Sequence, residues 1–357
     1  MQSLHKIKSI YVKQRRSIYF AAIIGLAVVV TGIVLTLTHA AGSVVSTEVD
    51  AGTRSAQAAL VNDTTASGSK AVKFEQPVAG PTCAGKPSAS CTGVPAGTTL
   101  TVVNGDQTYS TDGQVLSGLD IRGYVQIRGK NITIKNSIIR GGIKSCTSSS
   151  AQNSAPLWVR SDLGATNFAI QDSEISPSNA TACMDGIWAA NVTMLRMNIH
   201  GAVDGVKAYD NVTIKDSYIH DLAWFASDPN QGGGETHNDG VQSYECNSNI
   251  LVQGNNIDLS TTTNSNAAYQ ITQDSGIRCS NLVIDGNWLD GGGCTINVAH
   301  KVLSTLAGVS ITNNRFGRHR VYANCTVLLS TQSTLSAYNG NVWEDTGLPV
   351  PAPQVHD

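Results

Sequence analysis

The feature that most constrains this chain is a ten-residue motif that occurs eight times between residues 131 and 343. It reads NITIKNSIIR (131–140), NFAIQDSEIS (167–176), NVTMLRMNIH (191–200), NVTIKDSYIH (211–220), NILVQGNNID (249–258), NLVIDGNWLD (281–290) and GVSITNNRFG (308–317), with TLSAYNGNVW (334–343) a weaker copy. Successive starts lie 20 to 38 residues apart, so the basic unit is a little over twenty residues and the longer intervals carry inserted loops. Within each copy apolar and polar residues alternate, the pattern of a half-buried strand. In the fourth, Val212 and Ile214 alternate with Thr213 and Lys215, Asp216-Ser217 turns the chain, and Ile219 points back inside. A second short strand falls between copies: DGIW (185–188), DGVK (204–207), DGVQ (239–242), SGIR (275–278), CTIN (294–297) and CTVL (325–328). A unit of two or three short strands cannot bury its apolar face alone, whereas stacked units share one continuous core.

Stacking of this kind predicts an all-β solenoid with parallel strands. On these repeats, over roughly residues 95–345, the chain resembles the right-handed parallel β-helix proteins of the pectate-lyase superfold, which include polysaccharide lyases and polygalacturonase-type hydrolases. The resemblance implies a right-handed parallel β-helix whose outer face meets a polysaccharide, but a fold by itself does not define chemistry. Composition fits many tight corners: 34 Gly, and 14% charged residues against about 25% in average globular domains. No basic stripe stands out in the body, which argues against a nucleic-acid partner.

The first forty residues stand apart. Lys6, Lys8, Lys13, Arg15 and Arg16 precede an apolar run from Ile18 to Leu37, about the length that spans a bilayer. The positive flank is expected to stay inside. The run exceeds an ordinary signal-peptide core, so it reads as an uncleaved signal anchor, with a signal peptide cut near Ala40 as the alternative. Either way the body is exported, to the cell surface or beyond. Without the five leader cations the body carries a net charge of −7. The expected organisation is a basic cytoplasmic segment (1–17), a membrane helix or signal (18–40), a flexible Ala/Ser/Thr linker (41–75), the solenoid (76–350) and a tail (351–357).

The eight cysteines agree with export, because an even set in an exported chain reads as disulfides. Cys294 and Cys325 hold one position in consecutive units, which places them about 4.8 Å apart along the stack. Cys246 and Cys279 follow the same strand in consecutive units. Cys146 and Cys183 flank one insertion, and Cys83 with Cys91 closes a small loop. These four pairs are the expected bridges.

Chemistry is sought in columns, since equivalent positions stack about 4.8 Å apart. One column holds Trp188, Lys207, Gln242, Arg278 and Asn297. Lyases of this fold use basic residues on such a face. Lys207 would take the proton alpha to a uronate carboxylate and Arg278 would neutralise the developing charge. A plain solvated polar face is the competing reading. A second column holds Asp185, Asp204 and Asp239, each followed by Gly, with Ser275 next. It resembles the Asp-Gly rungs of polygalacturonase-type hydrolases, although the Asp-Asp and Gly-His-Gly signatures of that family are absent. These carboxylates suit a glycosidase pair, a Ca²⁺ site built from oxygen ligands, or a structural corner ladder.

The densest segment is the insertion ending GGGETHNDGVQ (232–242). His237 is a candidate proton carrier and the acid expected in elimination, hydrolysis would instead use Asp204 and Asp239 with Asp185 or Glu235 assisting, and Trp224 and Phe225 are placed to stack on a sugar. Loop hydrogen bonding explains the same residues without function. His200 and His220, adjacent by alignment and next to Asp221, suit a metal or a proton relay as well as a polar corner. The Asn column (Asn131, Asn167, Asn191, Asn211, Asn249, Asn281) suits a structural amide ladder. The expected function is cleavage of a polysaccharide or cell-surface glycan, by β-elimination or by hydrolysis. A non-catalytic adhesin or carbohydrate-binding protein is the alternative.

Overall fold

A computed structural model of the protein describes residues 58–62, 70–74, 83–148, 153–243, 248–271, 279–298, 306 and 308–356. The expected membrane segment lies outside these residues. Among the described residues no helix is long and apolar enough to cross a membrane. The chain divides into two units, residues 1–78 and 79–357. In the first, strands Ala58–Asn62 and Lys70–Phe74 pair antiparallel, within the span expected as linker. The second unit is a parallel β-helix.

Among the described residues its strands form three parallel sheets of ten, nine and ten strands, and successive turns of the chain add one strand to each sheet. The first sheet runs from Gln107–Tyr109 through Ile187–Ala189, Val206–Ala208, Asp239–Ser243 and Ala267–Ile271 to Gln354–His356. The second contains the first half of each motif copy, such as Val212–Lys215, and the third contains its end, such as Tyr218–His220. Among the described residues helix is confined to single 3-10 turns at Ser161–Leu163 and Pro229–Gln231.

The alternation expected from sequence becomes stacked apolar columns. Leu157, Ile187, Val206, Val241, Tyr269 and Ile296 are in register on the first sheet, all fully buried. Ile170, Met194, Ile214, Val252 and Ile284 form the matching column on the second.

Two corners of each turn need a left-handed residue. Asn131, Asn167, Asn191, Asn211, Asn249 and Asn281 all adopt φ between 51° and 63°, and Gly308 at 79° takes the same place in the next copy. Asn tolerates this region better than other non-Gly residues. Their side chains donate along the axis, Asn211 to Asn191 and Asn249 to Asn211 at 2.9 Å each. The expected structural ladder is present.

A second, buried ladder runs inside. The Asn287 Oδ1 accepts from the backbone and side-chain nitrogens of Asn255, and its Nδ2 donates to Val252 O and to Asn314 Oδ1. Ser137, Ser173 and Ser217 hold the equivalent place in earlier turns, each accepting from a backbone N–H one turn away.

Three expected disulfides are present: Cys83–Cys91, Cys146–Cys183 and Cys294–Cys325, with Cα separations of 5.2, 5.6 and 4.9 Å. Cys279 is also disulfide-bonded, and its expected partner Cys246 lies outside the described residues.

Candidate functional site

The outer face of the first sheet carries a continuous column in register: Gln126, Trp158, Trp188, Lys207, Gln242, Gln270, Asn297, Leu328 and Gln354. This corrects one expectation. The rung between Gln242 and Asn297 belongs to Gln270, not Arg278, and the rung after Asp239 belongs to Ala267, not Ser275. The strand AAYQI (267–271) wins because it buries Tyr269 completely and bonds its hydroxyl to Ser243 at 2.8 Å. Arg278 and Ser275 themselves lie outside the described residues.

Asp185, Asp204 and Asp239 sit at the corner where the chain enters this sheet. The Gly after each is required by close approach: a Cβ on Gly205 would lie 2.5 Å from Gly240 O, and one on Gly240 would lie 2.6 Å from Ala268 O. The carboxylates are at most 3% exposed. The Lys207 ammonium lies 3.2 Å from Asp204 Oδ2 and 3.6 Å from Asp185 Oδ2, and donates to Gln242 Oε1 at 3.0 Å. An ammonium can only donate, so Gln242 turns its amide nitrogen to Asp239 Oδ2 at 2.9 Å. Asn266 donates to the other Asp239 oxygen at 2.9 Å, and the Asp204 Oδ1 accepts the Asp239 backbone N–H at 2.8 Å. The Trp188 indole N–H donates to Asp185 at 2.7 Å.

Two carboxyls thus share one cation, Asp239 stands behind Gln242, and the electrostatics follow. Burial pushes the Asp185 carboxyl up to about 6, against the pull of Lys207. Burial and the neighbouring Asp204 charge raise Asp239 well above the usual carboxylate range. Burial works against the Lys207 charge, but Asp185 and Asp204 more than offset it and hold the amine firmly protonated. A protonated ammonium donates rather than accepts, so in this arrangement Lys207 serves as the counter-ion of Asp185 and Asp204. The same ammonium already supplies the positive charge between Asp185 and Asp204, two of the three carboxyls expected to suit Ca²⁺. Among the described residues, Cys146, Cys183 and Asp228 come close enough to share a metal ion, but the two cysteines are a disulfide.

The insertion residues form their own set of hydrogen bonds. Trp224 donates to Glu235 Oε2 at 3.1 Å, and Asn264 donates to the same oxygen at 2.8 Å. Phe225 is held through its backbone N–H to Thr236 Oγ1, while buried Asn238 ties the loop to Val203 O and Ala223 O. His237 is exposed, although Asp239 two residues later is fully buried. His200 and His220 do stack, 5.1 Å apart, on the third sheet. His220 is held by Asp221 at 2.7 Å and Asn198 at 2.9 Å, and burial lowers its pKa.

Trp158 was not singled out in the sequence because no Asp-Gly precedes it. It meets Trp188 edge-on at 4.9 Å and carries the Arg160 guanidinium 4.0 Å above its ring. With Tyr124, Gln126 and Asn153 the two indoles border a hollow of about 250 Å³. Aromatic and carboxyl groups therefore meet on adjacent rungs of one face. A scan against protein-family models returns no match, and no curated protein matches the chain.

Proposed function

We propose that this is an exported protein of the pectate-lyase type that binds a polysaccharide along the outer face of its first sheet and cleaves it by hydrolysis. The observation that carries the reading is the acidic corner: Asp185, with its pKa pushed up to about 6, beside Lys207 and Asp204 and bonded to Trp188 of the aromatic hollow. A carboxyl poised near neutral pH can give its proton to the leaving glycosidic oxygen and regain one from the attacking water. Asp204, paired with Lys207, is the complementary carboxylate, and Trp158 and Trp188 stack on a sugar ring. The apolar run at 18–37 holds the protein at the membrane, or is removed on secretion, and the disulfides fit an oxidising compartment.

The test is incubation with a panel of plant, algal and bacterial glycans. New reducing ends without ultraviolet-absorbing products, lost in Asp185→Asn, support hydrolysis. Unsaturated products overturn it in favour of elimination. The second reading, a carbohydrate-binding surface protein without catalysis, is favoured by the hydrogen bonds that engage all three carboxylates. Binding without any product would establish it.

A further inference from the structure

Beyond Gln242 the same sheet face opens into a second hollow of about 550 Å³, bordered by Asn266, Gln270, Asn297, Tyr322, Gln354 and His356. That volume lies in the usual range for ligand pockets. Its nearest rung is the one after Asp239, and Asn266 bonds directly to that carboxyl.

Three features define what it can hold. Asn297 is only 9% exposed, spends its Nδ2 on Gln270 Oε1 at 2.7 Å, and has a shielded Oδ1 without a partner. A buried acceptor left bare is unfavourable, and a ligand donor that drew the Asn297 amide out of its bond to Gln270 toward the hollow it borders would satisfy it. Tyr322 is 63% exposed on a loop anchored by the Cys294–Cys325 disulfide and by its own N–H to Gly293 O at 3.0 Å. A ring held out on a fixed loop is a stacking platform. Finally, the described lining contains no carboxylate, Lys or Arg.

We propose that this hollow is a subsite for a neutral, hydroxyl-bearing sugar unit, recognised by amides and by stacking on Tyr322, so that the polymer is uncharged there rather than a polyuronate. The proposal rests on the reading of this face as a polysaccharide groove. It is tested by titrating the full chain calorimetrically with cellohexaose, xylohexaose, mannohexaose and hexagalacturonate. At least one neutral hexasaccharide should bind, and hexagalacturonate should bind more weakly. Asn297→Leu should weaken neutral binding about tenfold, the scale of one hydrogen bond. Tyr322→Ala, at an exposed site that leaves the core intact, should weaken it about fivefold, of the order of one stacking contact. Tighter binding of hexagalacturonate, no binding of any neutral probe, or neutral binding indifferent to Tyr322→Ala overturns the proposal. Neutral binding that needs Tyr322 but yields no reducing ends keeps the subsite and refutes hydrolysis. Cleavage that prefers hexagalacturonate refutes the subsite alone.

Discussion

Removing the Lys207 ammonium would leave Asp185 and Asp204 buried beside each other without their shared cation. Breaking a buried ion pair from one side costs about 3–5 kcal/mol. Lys207→Met is therefore expected to lower the denaturant midpoint markedly, and an unchanged midpoint would mean that the carboxyls are neutral in the native protein. Asp185 makes a separate expectation about pH. Its pKa is about 6 folded, against 3.8 as the ordinary value. The folded state then holds the proton more tightly than the unfolded chain. Stability from this group is complete below pH 3.8 and is lost as pH rises through about 6, a change on the order of 3 kcal/mol. Asp239 is shifted the same way and adds to the slope. Unfolding measured from pH 4 to pH 7 should show this fall, and Asp185→Asn should flatten its lower part.

At the level of elements, the solenoid depends on two kinds of small residue at its corners. Gly205 faces backbone on the next rung, with no room for a methyl. Gly205→Ala is expected to cost about 3 kcal/mol through overpacking, read by thermal unfolding. The ladders differ in depth. Asn287 makes four buried hydrogen bonds, so Asn287→Ala strands several partners and should cost roughly 2–4 kcal/mol. Asn249→Gly on the exposed ladder keeps the left-handed corner and should stay within about 1 kcal/mol. Equal losses at the two positions would contradict the distinction between ladders.

These elements were the legible part of the sequence, because a period of two within a period of twenty or more has one packing solution. The acidic column was legible for the same reason, as Asp185, Asp204 and Asp239 share one offset from the apolar column. The Gln270 rung was not, since AAYQI and SGIR both offer the required alternation and only the burial of Tyr269 separates them. His237 and Glu235 read as neighbours of Asp239 along the chain, yet a buried strand start lies beside an exposed loop there.

At the scale of the whole solenoid, each turn touches mainly its neighbours, so stability should be nearly a sum of local terms. The segment closed by Cys83–Cys91 breaks that rule by running across the third sheet. Gly93 N–H donates to Arg196 O at 2.8 Å, Pro87 O accepts from Asn256 at 2.8 Å, and Lys86 meets Glu344 at 2.8 Å. It thus joins turns that are otherwise connected only through the stack. Lys86 and Glu344 are each about one-third exposed. An ion pair of that kind contributes at most about 1 kcal/mol. The hold must then come from the buried Asn256 contact and from the disulfide that keeps the segment folded. Lys86→Ala should accordingly leave hydrogen exchange almost unchanged. Cys83→Ser with Cys91→Ser should speed exchange at Asn256–Asp258 and Val342–Trp343 while sparing Val125–Ile127, which the segment does not reach. A uniform rise along all turns would instead show that the solenoid unfolds as one cooperative unit and that this segment is not a strap between its turns.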